Sequence, residues 1–322
     1  MSWNTRELAR TWGRAFLRLE ALDNRWVPSI TDPTFDDGVL TIRGDGEDDV
    51  VSIVADGDEI TVESGDDSWE FEDVERIDVR LRGGDDTLTV DLTDLDEDAE
   101  LALDVRTGAG DDEVTVEYGD VGEKGSVDLT VATGAGEDLV EVTAGDIDEK
   151  AELAFDVSTG ADDDEVTFEV GELGEKARAD VAVDLGRGDD TFDWTGVELG
   201  EKAQLLLDLT GAGGDDDMTV DVGDVGEKAR FDGTIDLGGG DNALDLTVGD
   251  VDEKAHVSGD VTAGGGDDDV SLTVGDVGGK AKVAFDVDLG RGDNDLDTDF
   301  EDEDRVDLDE GDDEDDEDGD DD

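Results

Sequence analysis

The stretch GAGDDEVTVEYGDVGEKGSVDLTVAT, residues 108–133, decides how this chain is read. Its pattern returns at once as GAGEDLVEVTAGDIDEKAELAFDVST, residues 134–159, with no insertion or deletion. Lysines mark the period: Lys124, Lys150, Lys176, Lys202, Lys228, Lys254 and Lys280 are each 26 residues apart. An eighth copy at the start carries Asp98 in the lysine column. A fixed period of this size is the signature of a repeat architecture, in which each unit buries its apolar face only against its neighbours.

Written in register, the repeats form columns. One reads Leu88, Val114, Val140, Val166, Phe192, Met218, Leu244, Val270 and Leu296. Two residues on, another reads Val90, Val116, Val142, Phe168, Trp194, Val220, Leu246 and Leu272. A polar column lies between them: Thr89, Thr115, Glu141, Thr167, Asp193, Thr219, Asp245 and Ser271. A third apolar column reads Val105, Val131, Val157, Val183, Leu209, Ile235, Val261 and Val287. Alternation of period two is a strand with one buried face. Each repeat therefore holds two strands, near 113–118 and 127–132 in the first full copy. Two turns join them, Gly-x-Gly-Asp-Asp and Gly-Asp-Val-Gly-Glu-Lys-Ala. The fold expected is all-β, a parallel β-solenoid of about eight to nine rungs with two strands each. An antiparallel meander or barrel would also alternate two strands with two turns.

Four regions follow. Residues 1–36 form a separate basic segment, in which Arg6 to Leu22 has the pattern of an amphipathic helix ended before Pro28. Residues 37–83 hold strand-like runs at Val39–Ile42, Val50–Val54, Glu59–Val62 and Ile77–Leu81, read as a β cap off the 26-residue spacing. Residues 84–298 are the repeat solenoid, and residues 299–322 an acidic tail expected to be solvated and disordered.

Composition narrows the function. The 322 residues carry 101 Asp and Glu against 23 Lys and Arg, a formal net charge of −78. Such a chain repels nucleic acid and anionic membranes, which leaves cations, basic proteins or concentrated salt as partners. Cysteine is absent and His256 is the single histidine, so thiolate sites, zinc sites and histidine catalysis lack raw material. No apolar run reaches the length of a membrane span. The irregular residues Arg178, Arg187, Trp194, Arg230, His256 and Arg291 are the candidates for an odd, catalytic place, but no cluster of long insertions frames them. A non-enzymatic role is expected, with a carbohydrate-active β-helix as the remote alternative.

The acidic turn is where chemistry is expected. One carboxylate column reads Asp85, Asp111, Glu137, Asp163, Asp189, Asp215, Asp241, Asp267 and Asp293. The next reads Asp86, Asp112, Asp138, Asp164, Asp190, Asp216, Asn242, Asp268 and Asn294. Like charges stacked rung on rung repel, so bound cations, high salt or protons must offset them. Calcium, which prefers several hard oxygens, is the leading candidate, with several ions along the edge. Simple solvation of the turns is the alternative. The opposite turn neutralises itself, because Glu123 and Lys124 begin parallel Glu and Lys columns that pair diagonally. An acidic column beside it (Asp120, Asp146, Glu172, Glu198, Asp224, Asp250, Asp276) offers a second, weaker cation edge.

These residues resemble the calcium-binding nonapeptide repeats of the RTX, or haemolysin-type, family, of form Gly-Gly-x-Gly-x-Asp-x-apolar-x. Gly108, Gly110, Asp112 and Val114 match its second, fourth, sixth and eighth positions, as do Gly186, Gly188, Asp190 and Phe192, and Gly264, Gly266, Asp268 and Val270. The resemblance implies a parallel β-roll folding around calcium held between turns. The chain departs from it at Thr107, Leu185 and Ala263, in having one motif per 26 residues, and at Asn242 and Asn294. Near the N-terminus, LEALDNRWVPS, residues 19–29, resembles a planctomycete-type Leu-Glu-x-Leu-Glu-Asp-Arg-x-x-Pro-Ser segment of surface-associated or exported proteins. Together these imply a calcium-binding structural protein, extracellular or at the cell surface, with cell-surface or matrix components as partners. An acidic, halophilic-type adhesin or spacer without a specific metal is the alternative.

Overall fold

The structure is a computed structural model that describes residues 30–95 and 100–311. The basic 6–22 helix, the 19–29 segment, Asp98 and the last eleven residues of the tail lie outside the described residues. Two sheets of twelve strands each run the length of the molecule, and no α-helix occurs among the described residues. The chain opens with β1 (Thr31–Asp36), β2 (Val39–Arg43), β3 (Val50–Asp56), β4 (Glu59–Ser64) and β5 (Asp67–Glu72). It continues with β6 (Arg76–Arg80), β7 (Thr87–Leu92), β8 (Glu100–Ala109), β9 (Glu113–Tyr118) and β10 (Ser126–Ala135). From β6 onward, successive strands alternate between the two sheets, so each coil adds one parallel strand to each. The result is a parallel β-solenoid of about nine turns.

Register explains the columns. Val127 faces Leu101 and Leu153, Leu129 faces Leu103 and Phe155, and Val131 faces Val105 and Val157. Each pairing joins residues 26 apart, so every apolar column stacks on itself. All members of the three apolar columns are buried except Leu296 at the last rung, which is partly covered. Burying one such Val or Leu contributes about 1.5–3 kcal/mol, and a single rung leaves one side of each residue bare. A fourth buried column lies inside the Glu–Lys turn: Val121, Ile147, Leu173, Leu199, Val225, Val251 and Val277, linked by single parallel bridges.

Bulk is balanced locally. Trp194 is fully buried against Phe168, with ring centroids 5.5 Å apart, and Phe168 stacks on Phe155 at 5.8 Å. Where the inward column has Gly233 and Gly259, the rings of Phe231 and Phe285 fill the space; a Cβ on Gly259 would lie 2.5 Å from Phe285.

Three boundaries differ from the expectations. Ile77 and Val79 pair with Leu103 and Val105, so this strand belongs to the 26-residue register instead of standing outside it. The basic segment ends earlier than residue 36: β1 pairs antiparallel with β2 and, with the β4–β5 hairpin, closes the first end. The tail does not begin at Asp299. Asp295–Phe300 completes the last rung, and Val306–Glu310 pairs parallel with Lys282–Asp288. Val306 and Leu308 are partly buried against the core, which holds this acidic segment in place.

The Gly-x-Gly bend leaves no room for a side chain. Gly214 has φ of +144°, and a Cβ there would lie 1.6 Å from the carbonyl oxygen of Gly188 one rung below. Gly214→Ala is therefore expected to destabilise the fold by at least about 2 kcal/mol in urea denaturation. Gly46→Ala, where a Cβ meets nothing within 4 Å, is the control and is expected to change stability little.

Candidate functional site

Bending the chain at Gly-x-Gly-Asp-Asp turns backbone N–H groups away from the strand ladders. Those donors need acceptors. The two carboxylate columns supply them, in opposite directions. In the inner column, the N–H of Asp164 donates to Oδ1 of Asp190 on the next rung at 2.8 Å, and that of Asp190 to Oδ1 of Asp216 at 3.0 Å. The same link joins Asp86 to Asp112, Asp112 to Asp138, Asp138 to Asp164, Asp216 to Asn242, Asn242 to Asp268, and Asp268 to Asn294. In the outer column the acceptor lies one rung back. Asp215 N–H donates to Oδ1 of Asp189 at 2.9 Å, and Asp241 N–H to Oδ1 of Asp215 at 2.8 Å. Asp85, Asp111, Asp163 and Asp267 also accept in this way.

The two columns differ in exposure. Asp85, Asp111, Glu137, Asp163, Asp189, Asp215, Asp241, Asp267 and Asp293 are solvent-exposed. The inner aspartates from Asp86 to Asp268 are buried, as is Asn242, while Asn294 is half-buried. Oδ2 of Asp86, Asp112, Asp138, Asp164, Asp190, Asp216 and Asp268 is enclosed and has no hydrogen-bond partner. Burial pushes Asp86 and Asp164 up to about 7, and Asp138, Asp190 and Asp216 up to about 6. Asp112 is raised for the same reason. The accepted N–H offsets part of this rise, and neighbouring carboxylates add to it. Thr107, Thr133 and Thr159 stand beside Asp112, Asp138 and Asp164, but each hydroxyl donates its hydrogen to a carbonyl one rung on.

Two members of this edge escape the sequence pattern. Asp49 N–H donates to Oδ1 of Asp86 at 2.8 Å, and Asp85 N–H to Oδ1 of Asp48 at 3.0 Å. Asp48 and Asp49 thus extend both columns by one rung. The intervening hairpin makes their spacing 37 residues. The local signal was the Asp-Asp-Val-Val run itself, which matches a turn followed by a strand.

The opposite edge pairs as its sequence suggests. Lys150, Lys176, Lys202, Lys228 and Lys254 each bridge the glutamate beside them and the one a rung back: Lys176 lies 2.5 Å from Glu175 and 3.3 Å from Glu149, and Lys202 lies 2.7 Å from Glu201 and 3.2 Å from Glu175. Flanking lysines hold Glu175 and Glu227 down to about 2. These groups are exposed, so the ladder aligns rungs more than it stabilises them. The neighbouring acidic column also caps the backbone, with Asp146 N–H on Oδ1 of Asp120 and Asp250 N–H on Oδ1 of Asp224.

Calcium takes roughly six to eight oxygens. The acidic edge offers the right donor chemistry, but among the described residues no group of three or more carboxylates converges on one point. Oδ1 of each inner member from Asp86 to Asn294, and of the outer aspartates from Asp85 to Asp267, already accepts a backbone N–H. At Asn242 an amide occupies the place that a second carboxylate oxygen holds elsewhere. The irregular residues do not gather either. Trp194 is core, His256 stands in a column between Arg230 and Lys282, and Arg187 and Arg291 are exposed in separate turns.

No protein-family model, no curated protein and no solved structure matches this chain.

Asp190→Ala removes the acceptor for the buried Asp164 N–H and is expected to cost about 1–3 kcal/mol by chemical denaturation. Asp190→Asn retains Oδ1 and is expected to be neutral or stabilising in the same measurement.

Proposed function

We propose that this protein is a non-enzymatic structural element, a stiff, acid-coated β-solenoid that serves as a spacer or adhesive rod without requiring a specific metal. One observation carries the reading. The inner and outer aspartate columns, and members of the acidic column beside the Glu–Lys edge, have a structural task, accepting backbone N–H groups from adjacent rungs. The acids thus account for themselves as parts of the scaffold. A catalytic centre needs one place unlike the rest, and the repeated turns supply the same groups at each level. The extracellular or cell-surface setting rests on the N-terminal resemblance and on the acidic surface, which suits contact with cations, matrix or basic partners.

A calcium-stabilised surface array of the RTX kind is the second reading. It is favoured by the formal net charge of −78 and by the absence of a basic column beside the acidic edge. Far-UV circular dichroism of the full chain at neutral pH separates the two. The metal-free reading expects full β signal in chelator at moderate salt, with calcium and magnesium acting alike. A cooperative gain of β signal seen with calcium alone, and reversed by chelator, would sink it in favour of the array.

A further inference from the structure

The buried inner column poses a problem that its Oδ1 contacts do not solve. Seven enclosed Oδ2 atoms lack a partner. A buried carboxylate oxygen with nothing to accept is costly. The chain contains its own answer at the two positions where the column departs from aspartate. Asn242 keeps the shared contact, its Oδ1 accepting from Asp216 N–H at 3.0 Å. Its Nδ2, which stands where its neighbours place Oδ2, donates to the carbonyl of Gly240 at 3.2 Å and to Oδ1 of Asp268 at 3.0 Å. Asn294 also accepts from Asp268 N–H, and its Nδ2 finds a different acceptor, the carbonyl of Leu289 at 3.1 Å. At both rungs, the second side-chain atom meets acceptors. That place calls for a hydrogen.

We infer that Asp86, Asp112, Asp138, Asp164, Asp190 and Asp216 form a column of neutral carboxylic acids, each donating an Oδ2–H where Asn242 donates an amide hydrogen, so that folding takes up protons from solvent along this edge. The inference rests on the metal-free reading above and specifies what neutralises the edge.

The charged surroundings agree. From Asp112 to Asp190 each inner carboxyl faces inner carboxyls above and below, Asp216 faces Asp190 on one side and Asn242 on the other, and outer aspartates stand in the same turns, such as Asp111 beside Asp112 and Asp138, and Asp163 and Asp189 beside Asp190. At the first rung, Asp86 faces Asp48, Asp49 and Asp112. Arg82, Arg187 and Arg291 sit in these turns but are exposed, and among the described residues none makes an ion pair with an inner carboxylate. The lysines all lie along the opposite edge or on the sheet face.

The sign follows from the direction of the shifts. A carboxyl raised to about 6 or 7 in the fold stabilises it fully below its unfolded value near about 4, and this contribution fades as pH climbs through 6 to 7. Glu175 and Glu227, held near 2, act oppositely and lose their contribution as pH falls below about 4.5. Stability is therefore greatest in mild acid.

Acidification also relaxes the overall charge repulsion, so melting curves alone are not decisive. The test uses the full chain in chelator between about pH 8.5 and 5, as wild type and as an Asp164→Asn/Asp190→Asn variant. Infrared spectra report the buried carboxylic acid band directly. The wild type is expected to show that band at the acidic end and lose it at the basic end, with Tm rising by several degrees on acidification. The variant is expected to melt higher than the wild type at the basic end, to respond less to pH, and to show a weaker band. A chain folded in chelator with no such band at the acidic end overturns the inference alone, as does a variant less stable than wild type at the basic end. A chain folded only with calcium at every pH overturns the metal-free reading beneath it. Should the variant fail to fold, the wild-type band decides.

Discussion

At every bend of the aspartate edge a backbone N–H faces away from the strand ladders, and a carboxylate on an adjacent rung accepts it. Strand pairing alone would leave these donors unmet, because the chain must leave one sheet and enter the other within a few residues. A short acidic side chain reaches a neighbouring turn without leaving the stack. Aspartate suits the geometry, and in the outer column Glu137 is the one position whose longer side chain does not cap the rung that follows. The acidity of the turns is thus tied to the coil's path. The inner column carries that solution into the interior, where charge is hard to sustain.

The two edges satisfy the same rule in different ways. A repeat must stack every group on its own copy. On the Glu–Lys edge, two adjacent columns of opposite sign make such stacking attractive, since each lysine from Lys150 to Lys254 spans two glutamates. The lysines from Lys124 to Lys254 hold positive φ, near 67° at Lys176 and Lys202, which L residues adopt reluctantly. On the aspartate edge there is no opposite column, and the backbone takes over the role of partner. The ends of the rod follow a third logic. Among the described residues the last strand of one sheet, Asp295–Phe300, is an edge strand that alternates Asp295, Asp297 and Asp299, and such a charged edge resists pairing with another sheet.

Much of this was legible in the residues. The strict 26-residue period with alternating apolar columns fixed the strand faces, and burial of Val114, Val140, Trp194 and Leu272 follows from it. The Glu–Lys zigzag was legible because opposite charges stand in neighbouring columns. The first rung was not, because the β4–β5 hairpin lengthens its spacing and hides Asp48 and Asp49. The final half-rung was not, because Val306 and Leu308 are sparse among acids, and their burial depends on a platform already built. The acidic columns could be located by sequence, but not their task. Solvation, metal binding and backbone capping require the same residue, and only the position of each oxygen tells them apart.

The opposed directions of the inner and outer aspartate ladders bear on how such a rod is made longer or shorter. Each rung presents, toward either end, one donor and one acceptor of the same kind. Removing a whole unit brings together two faces that already match, and inserting one creates no new kind of junction. Only the end caps, and the few rungs whose buried side chains compensate one another, such as Gly259 and Phe285, are tied to their place. Length is therefore a free dimension of the design, set by copy number in steps of one strand spacing, much as a ruler is cut to measure without altering its markings.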